Sequence, residues 1–224
     1  MKILAQTAVS GVVGLVFFGV LLFGPAGTFD YWQAWVFIAV FVVTTLVPSS
    51  WLAVHDPVAL RRRMKAGPTA ETRPVQRFAM TGSVAVSVAV AVVSAFDHRF
   101  GWSEVPVAVV IAGNLAVLLG LGAAEFVVIQ NRYAAATVTV EAGQPVVSTG
   151  LYAVVRHPMY AGALVMMAGM PLALGSYWGL VPMLAGVPVL AVRILDEEKL
   201  LAAELAGYRE YAQSVRYRLI PGLW

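Results

Sequence analysis

Cysteine is absent from the 224 residues. That excludes disulfides, thiolate metal sites and a cysteine nucleophile, and it leaves the redox compartment unread. Charge is scarce as well: 12% of residues are charged and 60% are hydrophobic, with a mean hydropathy of +0.80. A soluble globular domain carries charge on about a quarter of its residues, so the composition reads as an integral membrane protein instead. No long polar linker, low-complexity segment or internal repeat divides the chain, which predicts one integrated membrane domain. No metal is expected, because a metal site needs several convergent ligands. The net charge of +3 is modest, and no aromatic residues interleave the basic cluster Arg61, Arg62, Arg63 and Lys65. Nucleic acid is therefore not an expected partner; anionic lipid head groups are.

What the chain does have is long apolar runs. About 20 apolar residues cross a bilayer core, and six candidate spans emerge: 3–23, 32–54, 78–96, 105–130, 160–174 and 178–195. The expected fold is an all-α polytopic membrane helix bundle. Its fifth and sixth spans form a helical hairpin, the fifth being short and interrupted by Pro171 and Gly175. An amphipathic C-terminal cytoplasmic helix completes it. Lys2 followed by an apolar stretch also fits a secretory signal peptide, but the stretch is long and no small-x-small cleavage site follows clearly. Ala8, Ser10, Gly11 and Gly14 suit close helix packing there.

The basic residues test this topology. With alternating spans, every Lys and Arg except Arg99 falls on one side. By the positive-inside tendency that side is cytoplasmic, and both termini and both long loops lie on it.

In the first four spans, Gly24-Pro25-Ala26-Gly27 reads as a turn, and Tyr31, Trp32 and Trp35 as an interfacial aromatic belt. Pro57 begins a short interfacial helix carrying Leu60, the Arg run and Met64, and His55 sits at head-group level. Gly120-Leu121-Gly122 suits close packing. Glu125 has two readings of equal weight, snorkelling from the end of its span or a functional intramembrane acid. The polar, β-branched stretch from Asn131 to Thr149 is expected to run extended against a ligand.

Ionisable groups gather in the last third. Pro158 suits the first turn of a helix, so Arg156 and His157 flank a helix start whose free amides favour a carboxylate or phosphate. Tyr160 opens the next span. Arg193, Glu197 and Leu201 are spaced by four and share a helical stripe, which Leu205 and Tyr208 extend; Glu198 faces elsewhere. The bland account pairs Glu197 with Arg193 and places Arg156 on lipid phosphates. Together the residues point to a polar ligand site at the membrane surface, with an apolar path for a lipid-like molecule.

Gly150-Leu151-Tyr152, Arg156-His157-Pro158-Met159-Tyr160, Arg193, Glu197-Glu198, Tyr208, Tyr211 and Ile220-Pro221 resemble the C-terminal signature of the isoprenylcysteine carboxyl methyltransferase family, much of it shared by the related phospholipid methyltransferases. The resemblance covers about residues 131–224, with a less diagnostic similarity in Pro25 through Trp32 and Asp56 through Met64. It implies S-adenosylmethionine as cofactor, with S-adenosylhomocysteine as product. Implied cofactor contacts are Gln144, Pro145, Val146, Val147, Tyr152, His157, Pro158, Met159, Tyr160 and Glu197, with Glu198 beside them. Thr137 stands where the family has a further contact, without the amide side chain found there. Arg193 is implied as the substrate-binding and catalytic residue, and Arg156 is also expected in the catalytic set, meeting the cofactor's carboxylate together with the helix-start amides.

The expected division is a four-span region, 1–130, and a cofactor-binding and catalytic region, 131–224. The expected activity is methyl transfer from S-adenosylmethionine to a small or lipid-like acceptor, the carboxylate of a prenylcysteine-like compound first. Ala, Val and Arg richness suggests a bacterial cell membrane, with the active site facing the cytoplasm. Two rivals stand beside it: an NADPH-dependent membrane reductase of the sterol or steroid type, and a non-catalytic lipid-binding protein.

Overall fold

The structure, a computed structural model, describes residues 2–64, 67–134 and 137–224. Lys65, expected in the basic cluster, lies outside them. Among the described residues there are eight α-helices and one 3-10 turn, and no strand. The helices are α1 (Lys2–Ala26), α2 (Trp32–His55), α3 (Pro57–Met64), α4 (Pro74–Phe100), α5 (Val107–Gln130), α6 (Pro158–Ala173), α7 (Leu180–Glu204) and α8 (Tyr208–Ser214). Four of them, α1, α2, α4 and α5, are long and apolar enough to cross a membrane, and α6 is a shorter apolar helix. The molecule is a helical membrane bundle.

Local chemistry sets the helix starts. Prolines open α3, α4 and α6, where a missing amide hydrogen costs nothing. Asp56 caps α3 by accepting the Ala59 amide at 3.2 Å. α1 runs on to Ala26, three residues past the expected end, because Pro25 and its neighbours remain helical and the turn comes at Gly27.

Two seams of small residues hold the bundle together. A Cβ on Gly120 would lie 2.5 Å from the Gly162 carbonyl oxygen, and one on Gly169 would lie 2.7 Å from that of Gly113. α5 and α6 therefore meet backbone to backbone, as membrane helices do where side chains vanish. A Cβ on Gly122, the other member of the expected Gly-x-Gly pair, would meet open space, so that glycine is not part of the seam. α7 packs along α4 through Gly82 on Val189 and Gly186 on Val86. Hence α6 and α7, which are consecutive and touch each other, pack mainly on α5 and α4 respectively.

The end of the bundle away from α3 is closed by polar contacts. Tyr31, expected in an aromatic belt, is fully buried: its hydroxyl donates to the Leu174 carbonyl at 2.7 Å and its ring stacks on His98. Trp32 and Trp35 are exposed, as a belt requires. At the other end, Glu125 is 2% exposed and forks onto Arg63 of α3. It does not snorkel; the cation comes to it from the interfacial helix. At the end of α2, His55 stacks on Trp51.

Candidate functional site

α6 begins where expected, with His157 as the residue before Pro158. The backbone preceding it is held by the C-terminal tail: the Arg156 amide donates to the Tyr217 carbonyl at 2.9 Å and the His157 amide to that of Arg218 at 3.0 Å. Upstream, Gln130 at the end of α5 clamps the start of the 3-10 turn Gly150–Ala153. Its amide donates to the Thr149 carbonyl at 2.5 Å and its oxygen accepts the Leu151 amide at 3.3 Å. These contacts fix both ends of the 150–157 stretch, and residues 137–139 and 144–147 before it line a cavity with the start of α6.

A cavity of about 110 Å³ opens between that segment, the start of α6 and the end of α7. Its walls include Gln144, Pro145, Val146, Val147, Tyr152, Arg156, His157, Pro158, Met159, Tyr160 and Glu197, together with Thr137. Asn131, Tyr133, Leu201, Tyr208 and Tyr211 also line it. Glu198 and Arg193 are not on the wall. The residues named from the motifs therefore divide into those that face the space and those that stand behind it.

α7 leaves its apolar run at Leu195, and Glu197 and Glu198 then point to different partners. Glu197 accepts from the Tyr160 hydroxyl at 2.5 Å and has no cation within pairing distance among the described residues. Glu198 is surrounded: Arg156 Nε donates to it at 2.8 Å, Arg218 Nε at 2.9 Å, and His157 Nε2 lies 3.2 Å away. Burial pushes the Glu198 carboxyl up, but the hydrogen bonds from His157 and Arg218 and the charges of His157 and Arg156 outweigh it and bring its pKa down to about 2. Arg156 also donates to the carbonyls of Ala212 and Val215, at 3.1 and 3.3 Å. Its guanidinium holds the tail and Glu198, and its side chain is 8% exposed.

Arg193 sits behind Tyr160, to whose hydroxyl oxygen its Nε donates at 2.9 Å. Its Nη2 donates to Glu71 at 2.8 Å, so its carboxylate partner is Glu71 and not Glu197. Glu71 is the residue that sequence reasoning missed. It lies in the 67–73 connection between α3 and α4, and it is 2% exposed. Its second oxygen accepts the Val138 amide at 3.3 Å, on the segment that walls the cavity. Nearby, Arg73 forks onto Asp196, at 2.6 and 3.1 Å, and Gln76 donates to both Asp196 and the Arg193 carbonyl. A lone acid in a polar loop carries no periodic signal, so only its isolation beside Gly67 and Pro68 marked it.

The stripe expected from Arg193 to Tyr208 is interrupted. α7 ends at Glu204, and Gly207, at φ 83°, turns the chain into the separate helix α8. That left-handed turn is one glycine adopts without penalty. It lets Tyr208 and Tyr211 fold back onto the cavity, where both are buried. Burial raises both hydroxyls above their ordinary range, and burial raises Tyr152 too, with the Glu197 charge adding to it, so all three remain protonated donors. Tyr211 donates to the Tyr152 carbonyl at 2.8 Å. The Tyr208 hydroxyl is buried with no hydrogen-bond partner among the described residues. An unsatisfied buried hydroxyl costs free energy, so its place on the cavity wall points to a polar ligand atom there.

Compared with known proteins, residues 108–206 match the phospholipid methyltransferase family. No curated protein matches the chain. The matched stretch runs from α5 through the cavity-lining segment and α6 to the end of α7, so the similarity to phospholipid methyltransferases covers the part of the molecule that carries the cavity. The family resemblance expected from the motifs is upheld at that level.

Proposed function

We propose that the chain transfers a methyl group from S-adenosylmethionine to a small or lipid-like acceptor at the cytoplasmic face of a bacterial membrane. The observation that carries this reading is convergence. Gln144 to Val147, Tyr152, His157 to Tyr160 and Glu197, which the motif resemblance marks as cofactor contacts, all line one cavity. In this reading residues 1–130 form the membrane scaffold and 131–224 hold cofactor and chemistry.

The donor set suits the cofactor. Glu197 lines the cavity with no cation against it among the described residues, which suits a sulfonium, an ammonium or ribose hydroxyls. The amides at the start of α6 suit a carboxylate, and the Tyr208 hydroxyl, without a partner among the described residues, offers a donor. The rings of Tyr152, Tyr160, Tyr208 and Tyr211 supply faces for an aromatic base or a cation. When bound, S-adenosylmethionine supplies an activated methyl group that leaves by in-line displacement, so the protein contributes chiefly positioning. Arg156, through Glu198 and the tail, positions the wall that carries His157 and Tyr160.

For the acceptor, a carboxylate is ionised at neutral pH and needs no base, and Arg193 would orient it from behind Tyr160. The pairing of Arg193 with Glu71 favours a second reading, an amine acceptor. There a proton must leave, and the hydrogen-bonded pair of Tyr160 and Glu197 is where this chain would take it.

Calorimetry in detergent tests the cofactor. S-adenosylhomocysteine should bind with micromolar affinity and NADPH should not. Binding of NADPH without S-adenosylhomocysteine would replace this reading with a reductase, and binding of neither would leave a lipid-binding protein. Radiolabelled methyl transfer to a prenylcysteine and to an aminophospholipid then separates the two acceptors.

A further inference from the structure

Glu71 stands outside the stretch that matches the methyltransferase family, yet it is tied to the site at two points. One oxygen takes Arg193 Nη2 and the other takes the Val138 amide. Both partners are buried: Arg193 is 5% exposed and Val138 is 6% exposed. The 67–73 connection that carries it is further anchored by Arg77, which donates to the Glu71 carbonyl at 3.2 Å, and by the Arg73–Asp196 fork. The carboxylate is therefore held in place, and it takes Nη2 of the guanidinium that a carboxylate acceptor would need.

We infer that Glu71 is a specificity-determining residue: its carboxylate is an internal stand-in for an acidic acceptor on Arg193, and it links that occupancy to the cavity wall through Val138. This rests on the reading of Arg193 as the group that meets the acceptor. A neutral or cationic acceptor leaves the Glu71–Arg193 pair intact. An acidic acceptor has to displace Glu71, and in doing so releases the Val138 amide. Competition of this kind is strong because two carboxylates contend for one buried guanidinium, and opposite arrangements of charge around a site discriminate between partners.

The test compares a carboxylate probe, N-acetyl-S-farnesylcysteine, with its uncharged methyl ester, by affinity for the wild-type chain and for Glu71→Gln in detergent. Removing the competing charge should raise the acid-over-ester affinity ratio about tenfold. Glu71→Asp, which keeps the charge, should keep the wild-type ratio. A carboxylate with a merely structural role would weaken both probes alike, so an unchanged ratio overturns the inference. A second measurement needs no variant. In the wild-type chain the acid, and not the ester, should speed hydrogen exchange at the Val138 amide, and equal exchange with both probes also overturns it. S-adenosylhomocysteine binding read in parallel separates this from the proposed function. Its absence removes the methyltransferase, whereas the ratio and the exchange rate decide the role of Glu71.

Discussion

Glu197 and Glu198 are neighbours in sequence and opposites in surroundings. Glu197 lines the cavity and meets one neutral hydroxyl, that of Tyr160. Glu198, about 100° further round the helix, is off the wall and is gripped by Arg156, Arg218 and His157. The difference separates availability from commitment. A carboxylate with three cationic or hydrogen-bonding partners has most of its lone pairs spent and organises the chain around it, whereas one with a single hydroxyl partner among the described residues still has most of them to offer. The same division applies to the arginines, since Arg156 is consumed by the C-terminal tail and Arg193 by Glu71 and Tyr160.

The largest effect should come from breaking the committed side. Glu198→Ala leaves Arg156 and Arg218 without their carboxylate in a half-buried site, and removal of one partner of a buried pair costs about 3 kcal/mol. We expect a clear drop in melting temperature in detergent, with residues 208–224 becoming susceptible to protease. A variant that melts like wild type would show that the tail is held by other contacts.

A smaller effect on stability, and a larger one on ligand, should follow on the available side. Glu197→Gln removes a charge that no cation among the described residues balances, so the fold should tolerate it. A hydrogen bond to a charged group is worth about 2 kcal/mol, which corresponds to a loss of roughly thirtyfold in S-adenosylhomocysteine affinity. If both the melting temperature and the affinity stay at wild-type values, Glu197 does not hold the ligand.

How far this contrast was legible in sequence depends on its range. Pro158 at the first turn of α6, the α3 helix from Pro57 to Met64 and the four long apolar helices follow from local rules of proline geometry and hydropathy. The separate directions of Glu197 and Glu198 follow from helical spacing alone. Their partners do not. Glu71 and Arg193 are 122 positions apart and Arg63 and Glu125 are 62 apart, and no periodicity relates an acid in one connection to a base on a distant helix. Tyr31 shows the same limit: an aromatic residue at a span boundary suits the interface, and only the approach of α4 and α6 buries it. The break at Gly207 was legible in principle, because a glycine between two helical stretches favours a left-handed turn, but the spacing of apolar residues ran across it.

The mildest perturbation is pH, applied to the committed side. The Glu198 carboxyl is depressed in the folded chain to about 2, from an ordinary value near 4.5. A depressed acid contributes stability that is fully present above the unfolded value and is lost as pH falls towards the folded one. Between pH 7 and 5 the tail should therefore be unaffected by Glu198. From about pH 4.5 down to 2 its protection should decline, as the unfolded chain takes up a proton that the folded one refuses. Hydrogen exchange of residues 208–224, corrected for the intrinsic rate at each pH, reads this directly in wild type and in Glu198→Gln. The variant should show faster exchange at pH 7 and a flatter dependence through the acid window. If the two profiles run parallel, the three partners around Glu198 do not hold the tail, and the contrast with Glu197 loses its energetic basis.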